Sequence, residues 1–268
     1  MRRTRVKATV FLGGGHITSA LIAGLRLAGY RRPIVVHDHH SKKLRELRLR
    51  YGVATEPDLG RAIAKAHLLI IAVRPASLVP LLDGIGGVDR PLAAVSLAAG
   101  IPLALLRTRL KPPVHWARAM PSPVCRIGRG LTALTFERKF PVSARREVQT
   151  FFAQVGAVLK IPESQFDAFT VAYSSSHGYH ALAALAEAAI KLGLDRGSAY
   201  AAAAHALADG INCWREEKAP LKRLLREAAT PGGTAATVMK AMNSAGHARV
   251  IERGLRAGLA KARANARR

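Results

Sequence analysis

Apolar residues in the first 160 positions fall into short blocks separated by turn-forming residues. Ala8-Thr9-Val10-Phe11-Leu12 is long enough for one buried strand and runs straight into Gly13-Gly14-Gly15. Helical spacing follows at Ile17, Leu21, Ile22, Leu25 and Leu27, and Gly29 stops it. Pro33 to His37 reads as a second strand ending at Asp38, with Ser41 as the expected cap of a helix to about Tyr51. Gly52-Val53-Ala54 is an expected short third strand, and a helix is expected from about Asp58 to Lys65. His67 to Val73 and Ala93 to Leu97 are continuous apolar runs, as strands buried on both faces usually are. Alternation of strand and helix in this order predicts a doubly wound α/β sheet of Rossmann type.

Beyond about residue 110 the pattern loosens. Val114 to Arg118, Leu131 to Thr135 and Ala157 to Ile161 read as three further strands, with a helix from about Ser143 to Val155 between the last two. From Glu163 onward the chain is Ala-rich and helical in spacing, and the basic residues from Ala260 to Arg268 read as a fraying helix end. The expected division is a dinucleotide-binding domain over 1–162 and an all-helical domain over 163–268. No apolar run reaches the roughly 18 residues of a membrane span. No clear signal peptide stands at the start, so a cytoplasmic protein is expected. Cys125 and Cys213 lie too far apart for a CxxC pair and are expected as reduced thiols.

Charge changes the picture. The chain has 268 residues, with 42 Lys and Arg against 17 Asp and Glu, a formal net charge of +25. Part of it sits in the Lys42 to Arg50 segment and in the tail from Arg249. Such a field attracts phosphate-bearing cofactors, carboxylate substrates and nucleic acid. Aromatics are only 5% and no recognition motif is present, so only nonspecific nucleic-acid binding is expected.

Gly13 and Gly15 follow a strand and open a helix, the context that gives a GxG pattern meaning. The first glycine permits the tight turn, and the second lets the backbone approach a pyrophosphate at the helix N-terminus. The third fingerprint position is Thr18, which predicts slightly looser helix–strand packing. The expected cofactor contacts are Leu12 to Ile17, including Gly14 and His16, then Asp38, His39 and His40. Ala72, Val73, Arg74 and Pro75, and Ala98, Ala99 and Gly100, end two later strands at the sheet edge where ligands bind. Asp38 can accept from the 2′-hydroxyl of NADH, while His39, His40, Lys42 and Lys43 favour NADPH, so both cofactors stay open. Adjacent residues in a turn cannot all face one ion, so no metal is expected at His37 to His40.

Several segments, in order, resemble those of one family. Gly13-Gly14-Gly15-His16-Ile17-Thr18-Ser19-Ala20 resembles GAGNMASA, and Ala72-Val73-Arg74-Pro75 resembles AVKP. Ser96 to Ile101 resembles SxAAGV/I, and Arg118-Ala119-Met120-Pro121 resembles RxMPN. Gly130 to Leu134 resembles GMTAL, while Pro162-Glu163-Ser164 with Asp167-Ala168 resembles PESLMDA. Lys191 to Leu194 and Thr230-Pro231-Gly232-Gly233-Thr234 resemble KLGL and SPGGTT. The set resembles the pyrroline-5-carboxylate reductases from about residue 8 to residue 260. The resemblance implies NAD(P)H-dependent reduction of a cyclic imino acid, 1-pyrroline-5-carboxylate, to L-proline. It also implies a C-terminal domain that makes a homodimer, with rings of dimers in some members. Substrate contacts are then expected at Met120, Pro121, Glu163, Ser175, Ser176 and His177, and at Thr230, Gly232, Gly233, Thr234 and Ala235. Thr230 is the expected cap of a helix with Pro231 in its first turn.

The departures fall in the expected substrate region. The family's SGSGPAY is Tyr173-Ser174-Ser175-Ser176-His177-Gly178-Tyr179 here, the Asn of its MPNTP is Ser122, and the second Thr of SPGGTT is Ala235. Tyr173, His177 and His180 are new potential donors, and Tyr173 and His177 are the candidate catalytic groups. Two other readings follow: a paralogue acting on a different imine or ketone, and a non-catalytic cofactor-binding protein that kept the fold.

Overall fold

The computed structural model describes residues 7–267. Strand β1 (Ala8–Leu12), helix α1 (His16–Leu27), β2 (Ile34–His37), α2 (Ser41–Tyr51) and β3 (Ala54–Thr55) come first. Next are α3 (Leu59–Lys65), β4 (Ala66–Ile71), α4 (Pro75–Ile85), β5 (Leu92–Ser96) and α5 (Leu103–Arg109). Strands β6 (Val114–Pro121) and β7 (Gly130–Phe136), helix α6 (Val142–Ala153) and β8 (Gly156–Lys160) complete one sheet. Its order is β3-β2-β1-β4-β5-β6-β7-β8, and only the β6–β7 pair is antiparallel. The remaining helices are α7 (Glu163–Ala172), α8 (Ser175–Lys191), α9 (Arg196–Glu217), α10 (Leu221–Ala228), α11 (Thr234–Ser244) and α12 (His247–Ala264).

The period of two along each strand sends alternate side chains to opposite faces, and each face has its own core. Phe11, Val36, Leu68, Ile70 and Val95 pack with Leu21 and Leu25 of α1 and with Phe151 and Phe152 of α6. Val10, Leu12, Val35, Leu69 and Ile71 pack with Leu78 and Leu82 of α4 and Leu106 of α5. That is why these strands read as unbroken apolar runs. Gly24 of α1 lies where an added Cβ would stand 2.1 Å from the Cys125 carbonyl oxygen, so only glycine lets this helix approach the short 3₁₀ turn Pro123–Ile127.

Some local expectations shift. Ser41 is the first residue of α2 rather than its cap, which is His40 with no side-chain cap bond. The third strand starts at Ala54, after Gly52 takes a left-handed turn at the end of α2. Asp58, expected as the first residue of α3, is its cap, accepting from Arg61 N at 2.6 Å.

The chain divides into two compact units. Described residues up to Tyr173, joined by those from Gly258 onward, form the first; Ser174–Ala257 forms the second. The expected boundary after Pro162 differs from this division by α7 and by the returning chain end. Helix α7 belongs with the sheet because Arg118 of β6 holds it, at 2.6 Å from Asp167 and 3.4 Å from Glu163, with its guanidinium 4.3 Å over the Phe166 ring. The expected fraying tail is instead anchored. Ala262 is buried, and Asn265 Nδ2 donates to the Ala99 carbonyl at 3.1 Å. No helix among the described residues is long and apolar enough to cross a membrane.

Candidate cofactor and substrate site

The parallel register aligns the ends of four strands. Leu12 is level with His37 of β2 and Ile71 of β4, and Ile71 is level with Ser96 of β5. Residues expected to touch the cofactor therefore meet at one edge of the sheet. Leu12 to Ile17 lie between β1 and α1, Asp38 to His40 follow β2, Ala72 to Pro75 follow β4, and Ala98 to Gly100 follow β5.

The glycine turn is held rigidly. Gly13 N donates to the His37 carbonyl at 2.8 Å and Ala72 N to the Leu12 carbonyl at 2.8 Å. Gly13 has φ +104°, and an added Cβ would stand 2.6 Å from the Ala72 oxygen. Thr18 adds a tie of its own: fully buried, it donates from Oγ1 to the Gly13 carbonyl at 2.5 Å. Gly15 differs in kind. It is the N-cap of α1 in extended backbone, with no side-chain cap and no acidic residue in the first turn. A Cβ added there would meet nothing within 4 Å. The first N–H groups of α1 thus open onto a space kept clear of side chains, the cradle a pyrophosphate needs.

Asp38 is turned inward, its side chain only 6% exposed. Oδ2 accepts from Gly14 N at 2.8 Å, and Oδ1 accepts from His40 N at 2.9 Å and faces His40 Nδ1 at 2.9 Å. Burial pushes this carboxyl up, but the Gly14 and His40 hydrogen bonds, with Lys43 nearby, outweigh it and bring it from its ordinary 3.8 down to about 2. Such a shift is worth roughly 2 kcal/mol. Because the folded value is depressed, that contribution is complete above 3.8 and is lost as pH falls through about 2. An Asp38→Asn variant is expected to lose this part of the acid-stability curve, read by denaturant titration from neutral pH down to the acid limb. A curve as steep as that of the parent would contradict the inward role of Asp38.

Contrary to expectation, the side chains of this turn do converge on one point. Ligand atoms of Asp38, His39 and His40 do lie within 4.8 Å of one another. Their approach reflects the Asp38–His40 hydrogen bond, which an ion would have to displace.

Met120 and Pro121 end β6, and Glu163 opens α7, all in the first unit. Glu163 Oε1 accepts from Leu103 N at 2.6 Å and faces Arg118, so its carboxylate ties α5, α7 and β6 together. Arg118 is 1% exposed. Replacing it with methionine leaves Asp167 and Glu163 without their cation and is expected to cost about 3–5 kcal/mol. Urea unfolding of Arg118→Met checks this, and a loss under about 1 kcal/mol would contradict the pairing. Tyr173 is likewise a strut: its hydroxyl accepts from Leu131 N at 2.8 Å.

Ser175, Ser176 and His177 occupy the first turn of α8 in the second unit, capped by Ser174 Oγ. The Thr230 turn, also in that unit, is not yet helix. Gly233 N donates to the Thr230 carbonyl at 3.0 Å, Gly232 takes φ +80°, and α11 starts at Thr234 with Gly233 as its cap. Proline and glycine therefore build the turn before the helix, and Thr230 does not cap it.

Sequence comparisons bear on both units. Residues 163–265 match the family described as pyrroline-5-carboxylate reductase dimerisation, and residues 9–100 match the one described as NADP oxidoreductase, coenzyme F420-dependent. A pyrroline-5-carboxylate reductase of Corynebacterium melassecola is 30% identical over 242 residues, covering 88% of this chain and 90% of the relative. One of Thermus thermophilus is 35% identical over 237 residues, covering 84% and 85%. The chain belongs to the pyrroline-5-carboxylate reductase family. The fold agrees: a Plasmodium falciparum pyrroline carboxylate reductase structure, with NADP bound, superposes with a TM-score of 0.86 at 17% identity over 97% of this chain and 98% of that one. For a pyrroline-5-carboxylate reductase family member, the residues that sequence reasoning passed over are the positioning ones. Asn265 pairs across 166 positions, and Arg118 across 45 or more with carboxylates of a second motif, pairings that neither motif signals by itself.

Proposed function

We propose that this chain reduces 1-pyrroline-5-carboxylate to L-proline with NADPH or NADH. The open cradle at Gly15, on a helix start that faces the carboxyl edge of the sheet, carries the reading. A reduced nicotinamide supplies the hydride when bound. The protein's part is to hold an electrophile that is already reactive as its iminium, so orientation matters more than an acid–base pair. Gly13 to Ile17 would hold the pyrophosphate, with the Ala72 to Pro75 and Ala98 to Gly100 turns beside the nicotinamide half. Met120 and Pro121 would bound the imine ring. The N–H groups around Gly232, Gly233 and Thr234 would bind the substrate carboxylate, with Ser175, Ser176 and His177 as further contacts. No essential acid is assigned: the Tyr173 hydroxyl accepts from Leu131 N and keeps its own proton to donate, and Tyr173 and His177 are the two candidates.

The second unit supports self-association. Its buried apolar side chains, among the described residues, are only Ala186, Ala199, Ala203 and Ala219, while Leu192, Trp214, Leu221 and Val250 are exposed. Helices with so little core of their own suit a second copy of the chain. Light scattering across a dilution series reads the dimer, and any ring of dimers, directly.

The functional test is steady-state oxidation of NADPH or NADH with pyrroline-5-carboxylate, with proline measured as product. Turnover on the order of 1 per second or faster is expected. A second reading, reduction of a different imine, is favoured by Ala235 and the Tyr173–Tyr179 replacements. A panel of larger cyclic imines decides between the two by kcat/KM.

A further inference from the structure

The first unit has a cavity at the edge of the sheet opposite the glycine turn. Its volume is about 560 Å³, within the range of small-molecule pockets. Tyr30, Arg31 and Arg32, which lead into β2, form one wall, and Arg146 and Glu147 of α6 form another. Tyr30 Oη lies 2.8 Å from Thr9 Oγ1, four residues before Gly13, so roughly 13 Å of strand separates this cavity from the cofactor cradle. Glu147 is the one carboxylate lining it among the described residues, and it is already engaged. Arg32 Nη1 donates to Glu147 Oε1 at 2.5 Å, and His67 Nε2 lies 3.1 Å from the same oxygen. The pairing holds Arg32 in place and leaves its Nε and Nη2 to donate elsewhere. The side chains of Arg31 and Arg146 have no ion pair and no hydrogen bond among the described residues. Three guanidinium groups against one carboxylate leave a surplus of two positive charges in a partly enclosed space. Their mutual repulsion falls when an anion sits among them. A phosphate monoester fits best. It carries a charge of about −1.5 to −2 near neutral pH, and its three free oxygens can meet donors from both walls. A carboxylate offers two oxygens in one plane. Leu68 and the edge-to-face pair of Tyr30 and Phe151, with centroids 5.8 Å apart, add apolar surface for the body of an ester.

We infer that this cavity is a second ligand site, which binds the phosphate ester of a small organic molecule, with Arg31, Arg32 and Arg146 on the phosphate. The probes are ribose 5-phosphate, inorganic phosphate and ribose, each titrated calorimetrically into the full chain. Ribose 5-phosphate is expected to bind with a dissociation constant of about 1 mM or tighter. Inorganic phosphate should bind severalfold more weakly and ribose not measurably. Arg31→Ala/Arg146→Ala breaks no bond within the protein, so it should melt as the parent does. It is expected to weaken ribose 5-phosphate about tenfold or more. The control, Arg61→Ala/Lys111→Ala, removes the same charge from exposed positions in α3 and just after α5, helices that cover the other face of the sheet. It should leave the affinity within about twofold.

Failure of ribose 5-phosphate to bind would overturn the inference. So would binding indifferent to Arg31 and Arg146, which would place the phosphate elsewhere, the glycine turn included. Equal losses in the two double variants would reveal only the long-range field of a +25 protein and would overturn it as well. Inorganic phosphate binding as tightly as the ester would overturn the assignment of an organic ligand.

Discussion

Gly100→Ala is expected to lose about 2–5 kcal/mol of stability and to release the end of the chain from the sheet. Gly100 has φ +76°, where an L side chain costs about 1–2 kcal/mol. Its added Cβ would stand 1.8 Å from the carbonyl oxygen of Ala262 and 2.5 Å from the carbonyl carbon. Backbone cannot swing aside as the tip of a lysine can. Either the turn after β5 or the last turns of α12 must move, which strains the Asn265 bond to Ala99 and uncovers Ala262. Overpacking of this kind adds about 1–3 kcal/mol. The melting temperature should fall by roughly 5–15 °C in a chain of this size, with faster hydrogen exchange over 258–267. Gly29→Ala is the matched control: φ is +74° there, but an added Cβ meets nothing within 4 Å. It should therefore cost only the backbone strain, about 1–2 kcal/mol. Equal melting of the two variants would contradict the packing of Ala262 against Gly100.

The glycine turn gives the second large effect, in binding rather than stability. Gly15 sits at φ −81° and ψ −171°, a conformation any residue adopts. Gly15→Val should therefore fold, losing only about 1 kcal/mol for a β-branched residue at the helix cap. Its side chain would fill the space in front of the first N–H groups of α1, and dinucleotide affinity should drop by about 100-fold or more, roughly 2.7 kcal/mol. Gly13→Ala should behave in the opposite way. With φ +104° and the Ala72 oxygen 2.6 Å from the new Cβ, it should melt early whether or not cofactor is present. Fluorescence titration of the reduced cofactor and thermal melts on both variants separate the roles. Unchanged affinity in Gly15→Val would remove the cradle as the cofactor site.

These two glycines illustrate what the sequence made legible. A strand running into Gly13-Gly14-Gly15 is a local pattern, and so are the apolar strands, because burial on both faces of a parallel sheet leaves no polar positions between Leu68 and Ile71. Features set by distant partners were not legible. Helix α7 reads as the start of the helical region, yet a single buried arginine on β6 holds it to the sheet unit. The chain end reads as a fraying basic helix, yet Gly100 leaves a slot in which its backbone fits. Side-chain direction is invisible as well. Asp38 stands where a ribose reader would, and only its bonds to Gly14 and His40 show that it faces inward. Thr18 occupies the third fingerprint position, and only the structure shows that its hydroxyl closes the turn on the Gly13 carbonyl. At the Thr230 turn, good helix-start residues spend their conformational preferences on a turn four residues before α11 begins.

The most direct test of the central claim is isotopic. The chain would be supplied with pyrroline-5-carboxylate and reduced nicotinamide cofactor carrying deuterium at both C4 positions, and the product examined by mass and by NMR. Reduction of the C=N bond by hydride transfer predicts proline with one deuterium on the former imine carbon, and oxidised cofactor formed in equal amount. Proline without deuterium, or cofactor binding with no proline formed, would contradict it.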